Sequence, residues 1–278
     1  MNQSGTKHEF EGNEEIRNAL SDRKRPKKPN GVSTSLTFGW RALLKIKYVP
    51  EQMLDVTAFP IMFLLMFTYL FGGAIAGSTS EYLQFLLPGI LAMTVVTITM
   101  YTGIELNNDI TKGVFDRFRT LPIWGPSVLV GMLLVDTVRY TLASVIMITL
   151  GIIMGFRADG GIVGVLLGVG LLLVFSFSLS WIWTTLGLIL RSEKSLMGVS
   201  MLVLFPLTFV SNVFVDPRTL PTWLEAFVDV NPISLLVTAT RGLMHGVATF
   251  EEVASVIIIS VVITAIFAPV TMYLYRKK

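Results

Sequence analysis

Asp136 and Arg139 are the ionisable residues that fall well inside a long apolar stretch of this chain. Three positions apart, they share one face of a helix and can pair. Each alone would cost about 2.5–3.5 kcal/mol at mid-bilayer on insertion scales, so pairing or burial against another helix is expected. The pair reads as a structural ion pair near the inner leaflet or as a relay of movement from the cytoplasmic side, the first being preferred. Glu105 stands where an apolar stretch gives way to a polar one, and could bond Arg117, Arg119 or a neighbouring helix.

Other chemistry is scarce. With no cysteine in the chain, disulfides, thiolate metal sites and cysteine nucleophiles are excluded. His8 and His245 lie far apart, so no metal site is expected. There is no G-x-x-x-x-G-K-[ST] to cradle nucleotide phosphates, no G-x-S-x-G and no H-E-x-x-H. No catalytic residue is assigned, and no cofactor is expected on this chain.

The most informative polar stretch is NNDITKGVFDRFRTLP, from Asn107 to Pro122. At about 100° per residue, Ile110, Val114, Phe118 and Leu121 fall on one side. Lys112, Asp116, Arg119 and Thr120 fall on the other. That pattern predicts a helix lying on the membrane surface, with its charged face offered to something in the water.

The elements around it are membrane helices. The chain has 278 residues, 53% of them hydrophobic and 15% charged, with a mean hydropathy of +0.67. This is a polytopic composition. Taking about 20 apolar residues per crossing, six spans are predicted: 54–73, 84–105, 127–155, 162–190, 196–214 and 253–275. The fold class is all-α. Pro60 and Pro206 fall inside spans, where each removes a backbone hydrogen bond. The first apolar run begins near Leu54, too late for a cleaved signal peptide.

Of the 22 Lys and Arg residues, 18 lie in segments that would share one side, against three opposite (Arg157, Arg218 and Arg241) and Arg139 within a span. By the positive-inside rule both termini are cytoplasmic. The net charge of +3 is therefore an orientation signal, and no nucleic-acid partner is expected. Residues 1–34 read as a disordered cytoplasmic tail whose DRKRPKKP run either holds anionic lipid or is an inert orienting segment. A second surface helix follows, with Leu36, Trp40, Leu43 and Leu44 opposed by Arg41 and Lys45.

Between the last two spans, Pro217, Pro221 and Pro232 break a semi-apolar segment into two short helices, about 220–229 and 232–244. Trp223 and Phe227 would anchor the first. Ile233, Leu236, Ala239, Thr240 and Leu243 form a stripe on the second. Outer-leaflet helices that dip in and return and an ordinary external loop both fit this pattern. Gly164, Gly168 and Gly170, and separately Gly151 and Gly155, permit close helix approach, within the chain or at a subunit seam. Phe63, Phe67, Phe175, Phe177, Trp181 and Trp183 could line a path for a greasy substrate, or face lipid and core.

Over residues 36–278 the chain resembles the membrane subunit of type-2 ABC exporters, most closely the doxorubicin/daunorubicin-resistance (DrrB-like) permeases. The order of elements carries part of the resemblance. Asp109…Gly113…Arg117-Phe118-Arg119…Leu121-Pro122, and Asn231-Pro232 followed by Arg241-Gly242-Leu243, carry the rest. The resemblance implies that Asn107–Leu121 is a coupling helix seated in a separate cytosolic ATPase, with Asp109, Lys112, Gly113, Asp116, Arg117 and Arg119 at the contact. Arg41 and Lys45 would lie on its connecting helix, and Trp223, Asn231, Pro232 and Arg241 in its outer re-entrant elements. ATP and Mg would sit on the partner. A second permease subunit, identical or homologous, would complete the path for a hydrophobic drug, antibiotic or lipid in the cell membrane of a bacterium. The rival reading is an ion-coupled secondary transporter, which would normally show paired repeats and ionisable groups at the midplane.

Overall fold

The computed structural model describes residues 50–113 and 127–277, with Thr37 and Trp40. The predicted tail 1–34, Arg41 and Lys45 of the predicted connecting helix, and Asp116, Arg117 and Arg119 lie outside the described residues. Among the described residues every regular element is helical. The elements are α1 (Pro50–Met66), a π-helical turn (Phe67–Phe71), α2 (Gly72–Ala76), α3 (Thr79–Ile98) and α4 (Met100–Thr111). After these come α5 (Ser127–Met154), α6 (Gly161–Ile189), α7 (Glu193–Phe209), a 3-10 turn (Pro217–Thr219), α8 (Thr222–Val230), α9 (Pro232–His245) and α10 (Phe250–Lys277).

Among the described residues five helical stretches are long and apolar enough to cross a membrane: Thr57–Ala76, Thr79–Thr111, Leu129–Met154, Gly161–Ile189 and Phe250–Lys277. The stretch predicted as a crossing over 196–214 holds the 17-residue α7, ending at Phe209. That is about 25 Å of helix, short of a 30 Å hydrocarbon core. The helix stops there because Val210, at φ −95° and ψ 59°, leaves the helical conformation.

Thr79–Thr111 is the central column. Its apolar window is 83% buried by the rest of the fold, against 39% or less for each of the other four. The outer helices turn their apolar sides outward, as lipid-facing helices do: Ile153, Leu166 and Ile258 are all exposed. Ser78 starts the column by accepting a hydrogen bond from the Glu81 amide at 3.1 Å, a capping bond that satisfies one orphan donor of the first turn.

The column also runs further inward than hydropathy indicates. The predicted surface helix from Asn107 does not begin there: Asn107–Thr111 is the end of α4, continuous with the crossing. Asn107 is buried, and its side-chain amide donates to the carbonyls of Gly187 (3.0 Å) and Leu190 (2.7 Å) at the end of α6. Ile110 packs on an apolar group of Leu106, Leu129, Leu188 and Tyr275. A polar side chain that finds unpaired helix-end carbonyls can stay buried, so the helix continues. It ends at Gly113, whose φ of 67° favours glycine.

Both short helices between the last spans are present, α8 and α9. Gly160 and Gly164 of the α5–α6 junction let α9 approach backbone to backbone, since a Cβ on Gly160 would meet the Leu243 carbonyl oxygen at 2.6 Å. Gly168 faces Met244, and Gly151 faces Leu87. These close approaches lie within the chain, whereas Gly170 has open space beside it.

Candidate functional site

Two constellations sit on the central column. At its inner end, α4 brings Thr102 and Glu105 to one side, facing Asp136 and Arg139 of α5. Arg139 Nη1 donates to Asp136 Oδ1 at 3.0 Å, and Arg139 Nη2 to Glu105 Oε1 at 2.6 Å. The expected Asp136–Arg139 pair therefore forms, and Glu105 takes the neighbouring-helix option. The Thr102 hydroxyl donates to Asp136 Oδ2 at 2.6 Å, and Tyr140 reaches Ser180 of α6 at 2.7 Å. All three ion-network side chains are at most 13% exposed. Sequence reasoning missed Thr102, Tyr140 and Ser180 because a hydroxyl in an apolar helix gives no signal until a partner faces it.

On the α6 side of the column, two backbones touch. A Cβ on Gly103 would collide with the Trp183 carbonyl, and one on Gly187 would lie 2.6 Å from the Gly103 oxygen. Asn108 adds a bond to Glu193 of α7 at 2.8 Å. The inner end of the column is thus tied to α5, α6 and α7 before the chain enters the basic segment. Of the predicted coupling residues, Asp109 is half-buried in the last turn of α4, while Lys112 is exposed and, with Gly113, forms the turn that ends it.

Midway along the column lies a half-open cavity of about 380 Å³. Met93, Thr97, Met100 and Tyr101 of the column form one wall. Phe59 and Pro60 of α1, with Met201, Phe205 and Phe209 of α7, form the others. No charged side chain lines it. The hydroxyls of Thr94, Thr97 and Thr208 are turned back onto their own helix carbonyls at 2.7–2.8 Å. Such a lining offers dispersion contacts and no charged partner. None of the six aromatics singled out from the sequence lines it. Phe175, Trp181 and Trp183 are buried, and Phe63 and Phe67 pack at a tilt against Phe214.

The outer segment is fastened to the top of α7. Asn231 caps α9 by accepting from the Ile233 amide at 2.9 Å, and Pro232 fits the first helical position. The Asn231 amide donates to the carbonyls of Leu207 (2.8 Å) and Val210 (2.7 Å), which the end of the helix leaves without continuing partners. Arg241 donates to the carbonyls of Phe85 (3.1 Å) and Asn212 (3.0 Å) and lies 3.8 Å over the Phe85 ring. Burial pulls its guanidinium below the usual arginine value, to about 10, so it stays charged at neutral pH. Trp223, Phe227 and Val230 point away from the fold along one side of α8. Replacing Asn231 by alanine removes three hydrogen bonds, the cap among them. We expect a loss of about 1–2 kcal/mol, read as a lower unfolding temperature of the detergent-purified chain, and a larger loss for Asn231→Asp, which keeps the cap but turns a buried carboxylate oxygen onto the Leu207 and Val210 carbonyls.

Fold and site together define a polytopic α-helical membrane protein with an apolar intramembrane cavity and an ion-paired central column. Residues 35–245 match the ABC-2 type transporter family, and the chain belongs to it. It is 52% identical over 264 residues to the daunorubicin resistance ABC transporter permease protein DrrB1 of Streptomyces coeruleorubidus, covering 95% of this chain and 93% of that protein. It is 23% identical over 188 residues to the probable doxorubicin resistance ABC transporter permease protein DrrC of Mycobacterium tuberculosis, covering 67% and 68%. A putative transport permease of Pyropia yezoensis, ycf38, is 24% identical over 211 residues, covering 74% and 72%. The chain is thus an ABC-2 permease homologous to daunorubicin and doxorubicin resistance permeases.

Proposed function

We propose that this chain is the membrane subunit of an ABC exporter, moving a hydrophobic or amphipathic drug outward under power from a separate cytosolic ATPase that carries ATP and Mg. The central column is the observation that carries this reading: α3 and α4, joined end to end at Thr99, run from the outer end of the fold to Gly113, where the basic segment follows in sequence. Force applied to that segment would reach the cavity wall directly. The 52% identity to a daunorubicin resistance permease favours drugs as cargo, and the uncharged, aromatic-rimmed cavity suits their apolar bodies.

Six crossings fit better than five. With α7 continued by Val210–Val215 as the sixth, both termini fall on the cytoplasmic side with 18 of the 22 basic residues. Five crossings would send the three basic residues at the C-terminus outward. The short outer helices α8 and α9 then serve as re-entrant elements closing the exit. A second permease subunit faces the cavity across a shared path. An ion-coupled transporter would need an ionisable group open to a pathway, whereas Asp136 and Arg139 are closed off by mutual pairing, Thr102 and Glu105.

Conformational coupling requires the two states to differ in affinity for the nucleotide-loaded partner. Reversing charge at Arg117 and Arg119 attacks that contact. We expect Arg117→Glu with Arg119→Glu to abolish ATP-driven uptake of daunorubicin into inside-out vesicles and to lose the co-purifying ATPase, while membrane insertion is unchanged. Normal efflux by the double variant would refute the docking assignment.

A further inference from the structure

The column is fastened at both ends and interrupted between them. Its outer ties lie within one turn: the Tyr82 hydroxyl donates to the Phe214 carbonyl at 2.9 Å, Gln84 bonds the Gly155 carbonyl and the Arg157 amide, and the Phe85 carbonyl accepts from Arg241. The inner ties run from Thr102 to Asn108, as described above. Between them the helix breaks at Thr99. The Thr99 amide bonds the Val96 carbonyl at 3.2 Å, and the Thr102 amide bonds the Thr99 carbonyl at 3.3 Å, both three residues back rather than four. The Thr99 hydroxyl donates to the Val96 carbonyl at 2.6 Å, the local competition by which threonine bends helices.

What holds this break is a side chain from another helix. The Trp183 indole N–H donates to the Thr99 hydroxyl oxygen at 2.8 Å. Thr99 is fully buried and Trp183 nearly so, so the bond has no competing water. The residues flanking the break, Thr97, Met100 and Tyr101, are those that wall the cavity. A rod held at its ends yields where its hydrogen-bond ladder is weakest, and here that place borders the cavity.

We infer that the central column flexes at Thr99, and that the Trp183–Thr99 hydrogen bond is the catch that sets the shape of the cavity wall. Thr99 and Trp183 are positioning residues: neither lines the cavity, and both act through Thr97, Met100 and Tyr101. The flexing itself stands on the hydrogen bonds alone, while its consequence for cargo rests on the exporter reading.

Hydrogen–deuterium exchange on the full chain in lipid nanodiscs tests the inference, followed by daunorubicin titration of the same samples. In the wild type, amides over 97–102 should exchange at least about tenfold faster than those over 90–96. Thr99→Val, which removes the hydroxyl at nearly constant shape, and Trp183→Phe, which removes the indole N–H together with part of the ring, should speed the 97–102 amides further and leave 82–92 unchanged. Thr99→Ser keeps the hydroxyl and should match the wild type. Where daunorubicin binds, Trp183→Phe should shift its Kd while Thr99→Ser does not. Uniform exchange from 90 to 102, or variants that leave 97–102 unaltered, would overturn the flexing hinge. Expected exchange with no daunorubicin binding by the wild type would uphold the hinge and refute daunorubicin as cargo. If either hydroxyl or indole variant fails to fold, wild-type exchange against Thr99→Ser and the 90–96 reference still decides the point.

Discussion

Arg139→Leu is expected to destabilise the protein by about 3–5 kcal/mol, the usual cost of stripping one partner from a buried ion pair. The guanidinium is shared by two carboxylates, Asp136 at 3.0 Å and Glu105 at 2.6 Å. Removing it leaves the buried Asp136 carboxylate beside a second acid without its guanidinium. The loss should appear as a lower unfolding temperature in detergent and poor recovery from membranes. Arg139→Lys should be intermediate, because one ammonium cannot bridge two carboxylates with the fork geometry of a guanidinium. The triple variant Arg139→Leu, Glu105→Gln, Asp136→Asn should regain most of the stability, since replacing a buried charge set wholesale is often near neutral. A single variant as stable as the wild type would mean that the two acids find other partners.

Transport by that triple variant separates structure from signalling. If the network merely holds α4 against α5, restored stability restores efflux. If it passes movement from the column to α5, the triple variant folds and fails to transport.

The second large effect is expected at the α4–α6 crossing. Gly103→Leu must push apart two backbones that touch, since even a Cβ at Gly103 collides with the Trp183 carbonyl. Overpacking a core side chain costs about 1–3 kcal/mol; a carbonyl cannot swing aside as a side chain can, so the result should lie at or above that range. The separation would also break the Asn107 bonds to Gly187 and Leu190. Gly170→Leu is the matched control on α6, with nothing within 4 Å of its Cβ position. It should be neutral or gain up to about 1 kcal/mol, because leucine favours helix over glycine. Equal unfolding temperatures for the two variants would contradict the crossing.

Much of the architecture was legible in the chain. Long apolar runs found four crossings to within three residues at each end, and the prolines at 217, 221 and 232 marked the two short outer helices. The Asp136–Arg139 spacing announced a pair. The inner end of the column was misread because Asn107, Asn108 and Asp109 look like the start of a water-facing segment. Nothing local to those residues shows that the end of α6, about 80 positions later, offers Asn107 two carbonyls. The fifth predicted crossing was drawn through Phe214 because Val210–Val215 is apolar, yet Asn231 holds the top of α7 where its ladder stops. The π-helical turn at Phe67–Phe71 left no mark in composition.

The sequence by itself determined the helical class, the membrane setting, the strong sidedness of charge and the family signature around Asn231 and Arg241. These are sums over neighbouring residues, and burial in lipid rewards each residue almost independently of its distant partners. Tertiary structure alone decided that Arg139 serves Glu105 as well as Asp136, that Gly103 meets Gly187, that Trp183 holds Thr99, and that Phe59, Tyr101, Phe205 and Phe209 border the cavity. Those are pair properties of residues on different helices, and only the crossing of the helices brings them within bonding distance.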